Sequence, residues 1–201
     1  MNILHIDSGI LGDHSVSRRL TAAIVARLQG EHPEAAVTHR DLAAEPIVHL
    51  TGAHLAASAE DGTAEVKAGR EALAEFLAAD VIVVGAPMYN FTIPSQLKAW
   101  IDRVVVAGQT FRYTANGVDG LAKGKRVIVA STRGGFYTAG SPISAMDHQE
   151  SYLATVFGFI GITDVEFVRA EGLAISAESK EAGIAAAESA VAAVPALKLA
   201  S

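Results

Sequence analysis

Short apolar runs alternate along the chain with longer stretches in which apolar residues recur at helical spacing. The short runs predict strands at residues 2–7, 36–42, 80–85, 126–130 and 164–169. The helical spacing predicts helices at residues 15–29, 63–79, 149–161 and 177–193, and another that begins after Pro94. Because strands and helices alternate, the pattern favours a parallel sheet that helices cover on both faces.

The same pattern predicts how individual helices end and which way they face. Gly30 follows the last apolar position of the first helix and is predicted to end it. In the helix over 63–79, Leu77 is predicted to face inward, and Gly69 is predicted to allow close approach to the sheet. Residues 43–62 are predicted to be a long irregular stretch in which helical turns remain an alternative, and residues 108–124 are predicted to be a loop.

Length and composition fit a single α/β domain over residues 1–201. The chain is 50% hydrophobic, with a mean hydropathy of +0.30, so it can bury a substantial core. Right-handed crossovers leave two common doubly wound arrangements, the six-stranded dinucleotide fold and the five-stranded flavodoxin-like fold. Five predicted strands favour the flavodoxin-like order 2-1-3-4-5.

Charge and residue types exclude several classes of function. The net charge of −6 argues against a nucleic-acid or anionic membrane partner. The chain has no cysteine, so it offers no disulfide, thiol nucleophile or cysteine-ligated metal. It begins without a signal-peptide pattern and has no apolar run of membrane-spanning length, which predicts a cytoplasmic protein. The seven histidines form no His-x3-His pair and none is expected in a carboxylate cluster, so no metal site is predicted.

The loop after the first strand, DSGILGDHSVSRRL, has residues suited to bind a phosphate. A helix N-terminus supplies amides and a favourable dipole, and Ser15 and Ser17 add hydroxyl donors. Gly9 and Gly12 let the backbone turn closely. The structural alternative is that Ser15 is a plain N-cap. Neither the dinucleotide fingerprint nor the P-loop motif occurs, so a mononucleotide phosphate fits better than a pyrophosphate or a triphosphate.

The loop after the third strand lies within GAPMYNFTIPSQLKAWID and is unusually apolar for a connection. Ligands of open α/β sheets bind at the carboxyl edges of the strands, where this loop begins. Its apolar residues suit the faces of an isoalloxazine ring, and the Asn90 carboxamide and backbone amides suit its polar edge. The alternative is that Tyr89 and Phe91 belong to the core and Asn90 is a turn residue; the lack of an internal partner for the buried polar groups favours a ligand.

The loop after the fourth strand, STRGG at 131–135, contains paired glycines. Free amides there can stabilise the negative charge that a reduced flavin carries at N1 and the C2 oxygen. The alternative is that the glycines simply form a turn. In the flavodoxin-like order the first, third and fourth strands are adjacent, so all three loops are predicted to meet at one crevice.

These motifs together resemble the FMN-dependent NADH azoreductases, which belong to the flavodoxin-like quinone reductases. The resemblance extends over about residues 2–175 and rests on S-x(6)-S-x-S, PMYNF-x-IP-x-x-LK-x-WID, TFRYT, TRGG and FGFIGI. It implies a homodimer with one FMN per subunit at the interface. The FMN contacts that it implies are Gly9, Ser15, Val16, Ser17, Met88, Tyr89, Asn90, Phe91, Thr132, Arg133, Gly134 and Gly135.

The resemblance also implies which residues surround the substrate, and the sequence departs from the family at two positions. Tyr113 is implied to line the substrate site, and Phe136 is expected to supply an aromatic wall. The family usually has serine in place of Gly9, and Ser8 is a candidate to supply the missing hydroxyl. It often has serine in place of Thr132, which is a mild change.

The implied reaction is a ping-pong cycle in which NADH or NADPH reduces FMN by hydride transfer. A quinone or an aromatic azo compound then takes two electrons in the same space. Because the cofactor carries the chemistry, no catalytic acid or base is predicted. Arg133 is a candidate to meet the 2′-phosphate of NADPH or to pair with a nearby acid, and His148 is predicted to cap the helix that follows it.

Two other classes of function remain open at the level of sequence. One is a flavodoxin-type carrier of single electrons without a small-molecule substrate. The other is a regulatory module that has lost flavin and senses NAD(P)H. The long segments 108–124 and 131–148 resemble a substrate enclosure and argue against the carrier.

Overall fold

The computed structural model describes residues 1–56 and 62–195, which form a parallel sheet with helices on both faces. The sheet has the order β2-β1-β3-β6-β7. Its strands are β1 (Asn2–Asp7), β2 (Ala36–Asp41), β3 (Val81–Pro87), β6 (Arg126–Thr132) and β7 (Asp164–Ala170), and β4 (Phe111–Thr114) and β5 (Gly117–Gly120) form a separate hairpin. The predicted order 2-1-3-4-5 is confirmed, because the hairpin strands lie outside the sheet.

The helices divide between the two faces of the sheet. They are α1 (Val16–Glu31), α2 (Gly52–Ala56), α3 (Ala64–Ala78), α4 (Ser95–Val104), α5 (Glu150–Phe159) and α6 (Ala177–Ala193). One core joins the apolar faces of α1 and α6 to one side of the strands, and a second core joins α3, α4 and α5 to the other. Alternate residues of β3 show the division: Val81 and Val83 lie in the first core, Ile82 and Val84 in the second.

The first helix does not end at Gly30. It continues to Glu31, and His32 leaves the helical conformation with φ −133° and ψ 77°. The residue before a proline is disfavoured in the helical region, and Pro33 follows His32 directly. The helix therefore ends at the proline signal rather than at the glycine.

Two predictions for α3 are wrong. Leu77 is 38% exposed, because Ala72 and Phe76 form the buried face and Leu77 lies to one side of it. Gly69 is buried, but it allows approach of another helix rather than of the sheet: a Cβ there would lie 2.9 Å from Cδ of Arg103 in α4.

The segment 108–124 contains the β4–β5 hairpin instead of the predicted loop. Thr114 pairs with Gly117, so the turn consists of the two residues between them. Gly120 packs directly on the backbone of Gly161, where an added Cβ would lie 2.2 Å from the amide nitrogen. In 43–62, helix α2 occupies part of the predicted irregular stretch, and 57–61 lie outside the described residues. In the described part of the chain, every helix falls short of the length and apolarity that a bilayer span requires.

Candidate functional site

The three loops predicted to converge do meet at the carboxyl edge of the sheet. β1, β3 and β6 are neighbours, and hydrogen bonds join the loops that follow them. The Ile10 N–H of the first loop donates to the Tyr89 hydroxyl of the second at 3.3 Å. The Met88 N–H of the second donates to the Thr132 carbonyl at 2.8 Å. The loops therefore form one site.

The first loop presents hydrogen-bond donors at the start of α1. Ser15 occupies the N-cap position, but its side chain makes no capping hydrogen bond. Its Oγ instead lies 3.0 Å from Oγ of Ser17, and both residues are buried. Within the described residues, the amides of Val16 and Ser17 donate to no protein acceptor. The structure thus leaves the hydroxyls and the helix N-terminus available to an anion, unlike a plain N-cap.

Gly9 forms the wall of this cradle. A Cβ at this position would lie 2.4 Å from Oγ of Ser15 and 3.0 Å from Oγ of Ser17. Ser8 does not replace the hydroxyl that the family usually has at Gly9, because its Oγ is buried and donates to the Gly85 carbonyl at 2.5 Å.

An ion pair fixes the position of the first loop. Nε of Arg18 donates to the Gly9 carbonyl at 3.1 Å. The same guanidinium donates to both carboxylate oxygens of Asp41, each at 2.6 Å. These bonds, together with the Ala43 and Ala44 amides, lower the pKa of Asp41 to about 2 despite the opposing effect of burial.

The second loop is a tight turn with a strained backbone. Tyr89 and Thr92 exchange backbone hydrogen bonds of 2.9 and 3.1 Å, and Asn90 and Phe91 between them have φ values of 48° and 70°. Asparagine tolerates this left-handed region, whereas phenylalanine is rare there. Phe91 is 41% exposed, so it is not a core residue. Asn90 is a turn residue, as the alternative held, yet its carboxamide makes no hydrogen bond within the described part of the chain.

In the third loop, the Arg133 side chain points into the protein. Its guanidinium is buried and pairs with Asp147 at 3.0 Å, with Glu171 at 3.3 Å and with Glu150. Of the two partners predicted for Arg133, the structure thus shows the nearby acids. Its charge is already compensated and has no access to a 2′-phosphate at the surface.

The paired glycines of the third loop hold a second segment by their carbonyls. The carbonyls of Gly134 and Gly135 accept from the amides of Ala174 and Gly172 at 3.0 and 2.9 Å. Their own amides donate to no protein acceptor among the described residues. The glycines therefore lie at a bend of the chain and also leave two donors for a ligand.

A cleft of about 840 Å³ opens beside the second loop. It is lined by Ile10, Met88, Tyr89, Asn90, Thr92, Ile93, Ser95, Gln96, Lys98 and Tyr152. Sequence reasoning missed the first-turn residues of α4, Ser95 and Gln96, although their place directly after the loop was a usable signal. Burial raises the pKa of Tyr152 at the edge of the cleft.

The two residues expected to line the substrate lie outside this cleft. Tyr113 is 75% exposed on the β4–β5 hairpin and packs edge-on against Phe111, with ring centroids 5.5 Å apart. Phe136 is 51% exposed and borders another cavity, of about 510 Å³, between β7 and α6. Within the described part of a single chain, neither residue contributes to the lining of the cleft.

Comparison with known proteins places this geometry in a family. The model of the flavodoxin-like fold family matches residues 1–194. An FMN-dependent NADH:quinone oxidoreductase of Sinorhizobium fredii is 66% identical, and one of Rhizobium meliloti is 63% identical; each alignment covers 100% of both chains. This chain belongs to the FMN-dependent NADH:quinone oxidoreductases.

Solved structures show the same fold for azoreductases. An azoreductase from Bacillus anthracis strain Sterne superposes with a TM-score of 0.86 at 30% identity, covering 96% of this chain and 98% of its own. An FMN-dependent NADH-azoreductase of the Ames Ancestor strain, in complex with FMN, has a TM-score of 0.82 at 26% identity with the same coverage. The predicted family is confirmed.

The residues present fit the cofactor of this oxidoreductase family. Two buried hydroxyls and unpaired helix amides beside a glycine match a monophosphate. A cleft with a thioether, a tyrosine and an unpartnered carboxamide matches a flat ring with a polar edge. For individual residues, the FMN contacts expected from the sequence stay predictions.

Residues outside the motifs hold the oxidoreductase site together. Gln149 is buried; its Nε2 donates to the Ala86 carbonyl at 2.9 Å, and its Oε1 accepts from Oγ of Ser131 at 2.9 Å. The predicted cap at His148 is wrong. Oδ1 of Asp147 accepts from the amides of Gln149 and Glu150 at the start of α5, and the His148 amide donates to the Phe91 carbonyl at 3.0 Å.

The structure also brings two histidines to one carboxylate, a contact that the sequence did not predict. Register pairs His5 of β1 with His39 of β2, and both imidazoles lie against Asp7. Burial raises the pKa of Asp7. The combined effect of His5, His39 and the Thr21 hydroxyl lowers it by more, so the pKa lies below its ordinary value.

Proposed function

We propose that this chain is an FMN-dependent NADH:quinone oxidoreductase that also cleaves aromatic azo compounds to amines. The observation that carries the proposal is the junction of three hydrogen-bonded loops that leave unpaired donors at a helix N-terminus and beside an apolar cleft. The names of the full-length relatives support the quinone as acceptor, and the azoreductase structures support the azo compound.

The chain's own residues bind and orient the cofactor. The hydroxyls of Ser15 and Ser17 and the first amides of α1 would hold the FMN phosphate. Asn90 and the amides of Gly134 and Gly135 would hold the polar edge of the ring. Bound FMN would supply the hydride and two-electron chemistry of a ping-pong cycle, so the protein needs no acid or base of its own.

NADH fits the site better than NADPH. A 2′-phosphate would need a free cation, but the Arg133 guanidinium is enclosed by carboxylates. Lys98, which lines the cleft, donates to both carboxylate oxygens of Asp102 at 2.6 and 2.7 Å. Initial rates with both nucleotides test this: a higher kcat/KM for NADH supports the assignment, and equal values contradict it.

We infer further that residues 1–201 act as one domain, that the protein is a homodimer and that it functions in the cytoplasm. The dimer is supported by the exposure of Tyr113 and Phe136, which would complete the cleft of a second copy. Sedimentation of the FMN-bound protein tests this inference. A monomer at assay concentration would contradict it.

Anaerobic absorbance spectra test the proposed reaction. The FMN-loaded protein is expected to bleach on addition of NADH and to recover its colour on addition of a benzoquinone. If FMN does not bind, or if NADH leaves the absorbance unchanged, the proposal is wrong. A one-electron-reduced flavin that persists, together with absent quinone turnover, would instead favour the flavodoxin-type carrier; the large cleft argues against that carrier.

A further inference from the structure

His5, Asp7 and His39 converge on β1 and its neighbour β2, the edge strand of the sheet. His5 and Asp7 lie two residues apart on β1 and therefore share a face, and His39 is the register partner of His5 on β2. Oδ2 of Asp7 lies 3.3 Å from Nε2 of His5 and 3.0 Å from Nε2 of His39. One ligand atom of each residue lies within 4.8 Å of the other two.

The two separations from Oδ2 of Asp7, 3.3 and 3.0 Å, are close to the distance between neighbouring ligands of a tetrahedral metal. Zinc bonds of about 2.0–2.1 Å place adjacent ligand atoms roughly 3.3 Å apart. Imidazole nitrogens with one carboxylate oxygen form a ligand set that zinc and similar divalent transition metals prefer.

The burial of the three side chains supports the binding of a metal ion between them. His5 is only 9% exposed, and Nε2 of its ring faces Oδ2 of Asp7 at 3.3 Å without forming an aligned hydrogen bond. A buried ring nitrogen gains more from a well-directed bond, which a metal ion between the two atoms would supply. The opposite edge of the cluster is open, because the His39 side chain is 49% exposed. A metal ion could therefore enter from solvent and keep a water as its fourth ligand.

The orientation of the Asp7 carboxylate and the net charge around it also favour a bound cation. Oδ1 of Asp7 accepts from the Thr21 hydroxyl at 2.8 Å, which leaves Oδ2 toward the histidines. Arg18 lies 3.8 Å from Oδ2, but its charge is offset by the two short bonds to Asp41. Asp7, Asp41 and Arg18 together carry one net negative charge, which favours a divalent cation.

We propose that His5, Asp7 and His39 form a binding site for a divalent transition metal of the zinc type, separate from the FMN site. The ligands would be Nε2 of both histidines and Oδ2 of the aspartate. The site does not depend on the proposed reductase activity, because none of the three side chains lines the cleft or the phosphate cradle.

Isothermal titration of the untagged, purified chain with zinc chloride tests the proposal. We expect one zinc per chain, and an affinity at least tenfold weaker in His39→Ala, since even outer partners of metal ligands are worth roughly 10–100-fold. His32→Ala is the matched control, because His32 also lies near a carboxylate, 3.7 Å from Glu34, but without a second histidine. This control should bind zinc as the unaltered chain does.

A second metal distinguishes the cluster from adventitious binding. Cobalt(II) is expected to give a difference spectrum typical of tetrahedral coordination in the unaltered chain and in His32→Ala, and none in His39→Ala. His39 is a half-exposed residue of an edge strand, so its variant should fold; retained circular dichroism confirms this. Absence of zinc binding by the unaltered chain, or equal affinity in His39→Ala, would overturn the proposal.

Discussion

The two ends of the candidate FMN site are built in opposite ways. The phosphate end is local: Gly9, Ser15 and Ser17 belong to one loop and the first turn of α1. The ring end is assembled from distant parts of the chain, with Arg133 bonded to acids at the start of α5 and after β7. From this difference we expect changes at the phosphate end to affect mainly cofactor affinity, and changes in the scaffold of the ring end to affect the stability of the fold as well.

Removal of the buried Arg133 charge should cause the largest loss in the free energy of unfolding. Arg133→Met leaves three carboxylates without their common partner, and breaking a buried ion pair typically costs about 3–5 kcal/mol. Urea unfolding followed by circular dichroism measures the free energy of unfolding. Arg169→Met is the control: Arg169 pairs with the same Glu150, but its side chain is 41% exposed, so about 1 kcal/mol or less is expected. Equal losses in the two variants would contradict the role assigned to the scaffold.

Loss of a serine hydroxyl at the phosphate end should have the opposite effect: weaker FMN binding with little change in stability. Ser15→Ala and Ser17→Ala are each expected to weaken FMN binding roughly 10- to 100-fold, because a hydrogen bond to a charged group is worth about 1.5–3 kcal/mol. The free energy of unfolding without FMN should change little. Riboflavin, which has no phosphate, should bind both variants as it binds the unaltered chain.

Fluorescence titration with FMN and with riboflavin measures these affinities. Ser189→Ala is the matched control, because its hydroxyl donates to a carbonyl of its own helix, far from the loops. If the serine variants lose riboflavin and FMN affinity equally, the hydroxyls do not bind the phosphate.

The β4–β5 hairpin allows a third test, at the part of the ring end that a second copy would complete. Gly120→Ala places a methyl group 2.2 Å from the Gly161 amide nitrogen, against backbone that cannot rotate away. Overpacking of this kind costs about 1–3 kcal/mol, and it should also raise KM for quinone by displacing Tyr113. Gly158→Ala, on the nearby helix with open space around it, should change neither quantity much. Unchanged stability in Gly120→Ala would show that the hairpin is not anchored at this glycine.

The local phosphate end of the site was easier to predict from the sequence than the ring end, which distant segments assemble. The phosphate end was predictable because its glycine and serines are neighbours in the chain and follow an apolar strand. The ring end was only partly predictable. Gln149 reaches Ala86 and Ser131 through bonds that join separate elements, and no local pattern marks it.

Strand register explains the largest omission. His5 and His39 are distant in sequence and become neighbours only because β1 and β2 pair in parallel with those two residues opposite each other. The strands themselves were correctly predicted, but their relative register was not considered. The particular acids that pair with Arg133 were missed for a similar reason. They come from three separate positions in the sequence and meet only in the folded chain.

The smallest effect is expected where a partly exposed ion pair fixes the phosphate loop. The pKa of Asp41 is lowered to about 2, below the ordinary carboxyl value of about 3.9. The pair with Arg18 therefore stabilises the fold fully above about pH 4, and this contribution is lost as the pH falls toward 2. Because a quarter of the Asp41 side chain is exposed, Asp41→Asn should cost about 1 kcal/mol or less near neutral pH.

Urea unfolding at about pH 6 and about pH 3 measures this contribution, and the difference between the unaltered chain and Asp41→Asn should shrink at the lower pH. Asp164→Asn, whose exposed carboxylate lies 3.7 Å from Arg126, is the control near neutral pH and should change stability even less. FMN affinity should fall only a few-fold in Asp41→Asn, since Nε of Arg18 can still hold the Gly9 carbonyl. A loss as large as that of the serine variants would mean that the ion pair, rather than the hydroxyls, sets the geometry of the phosphate end.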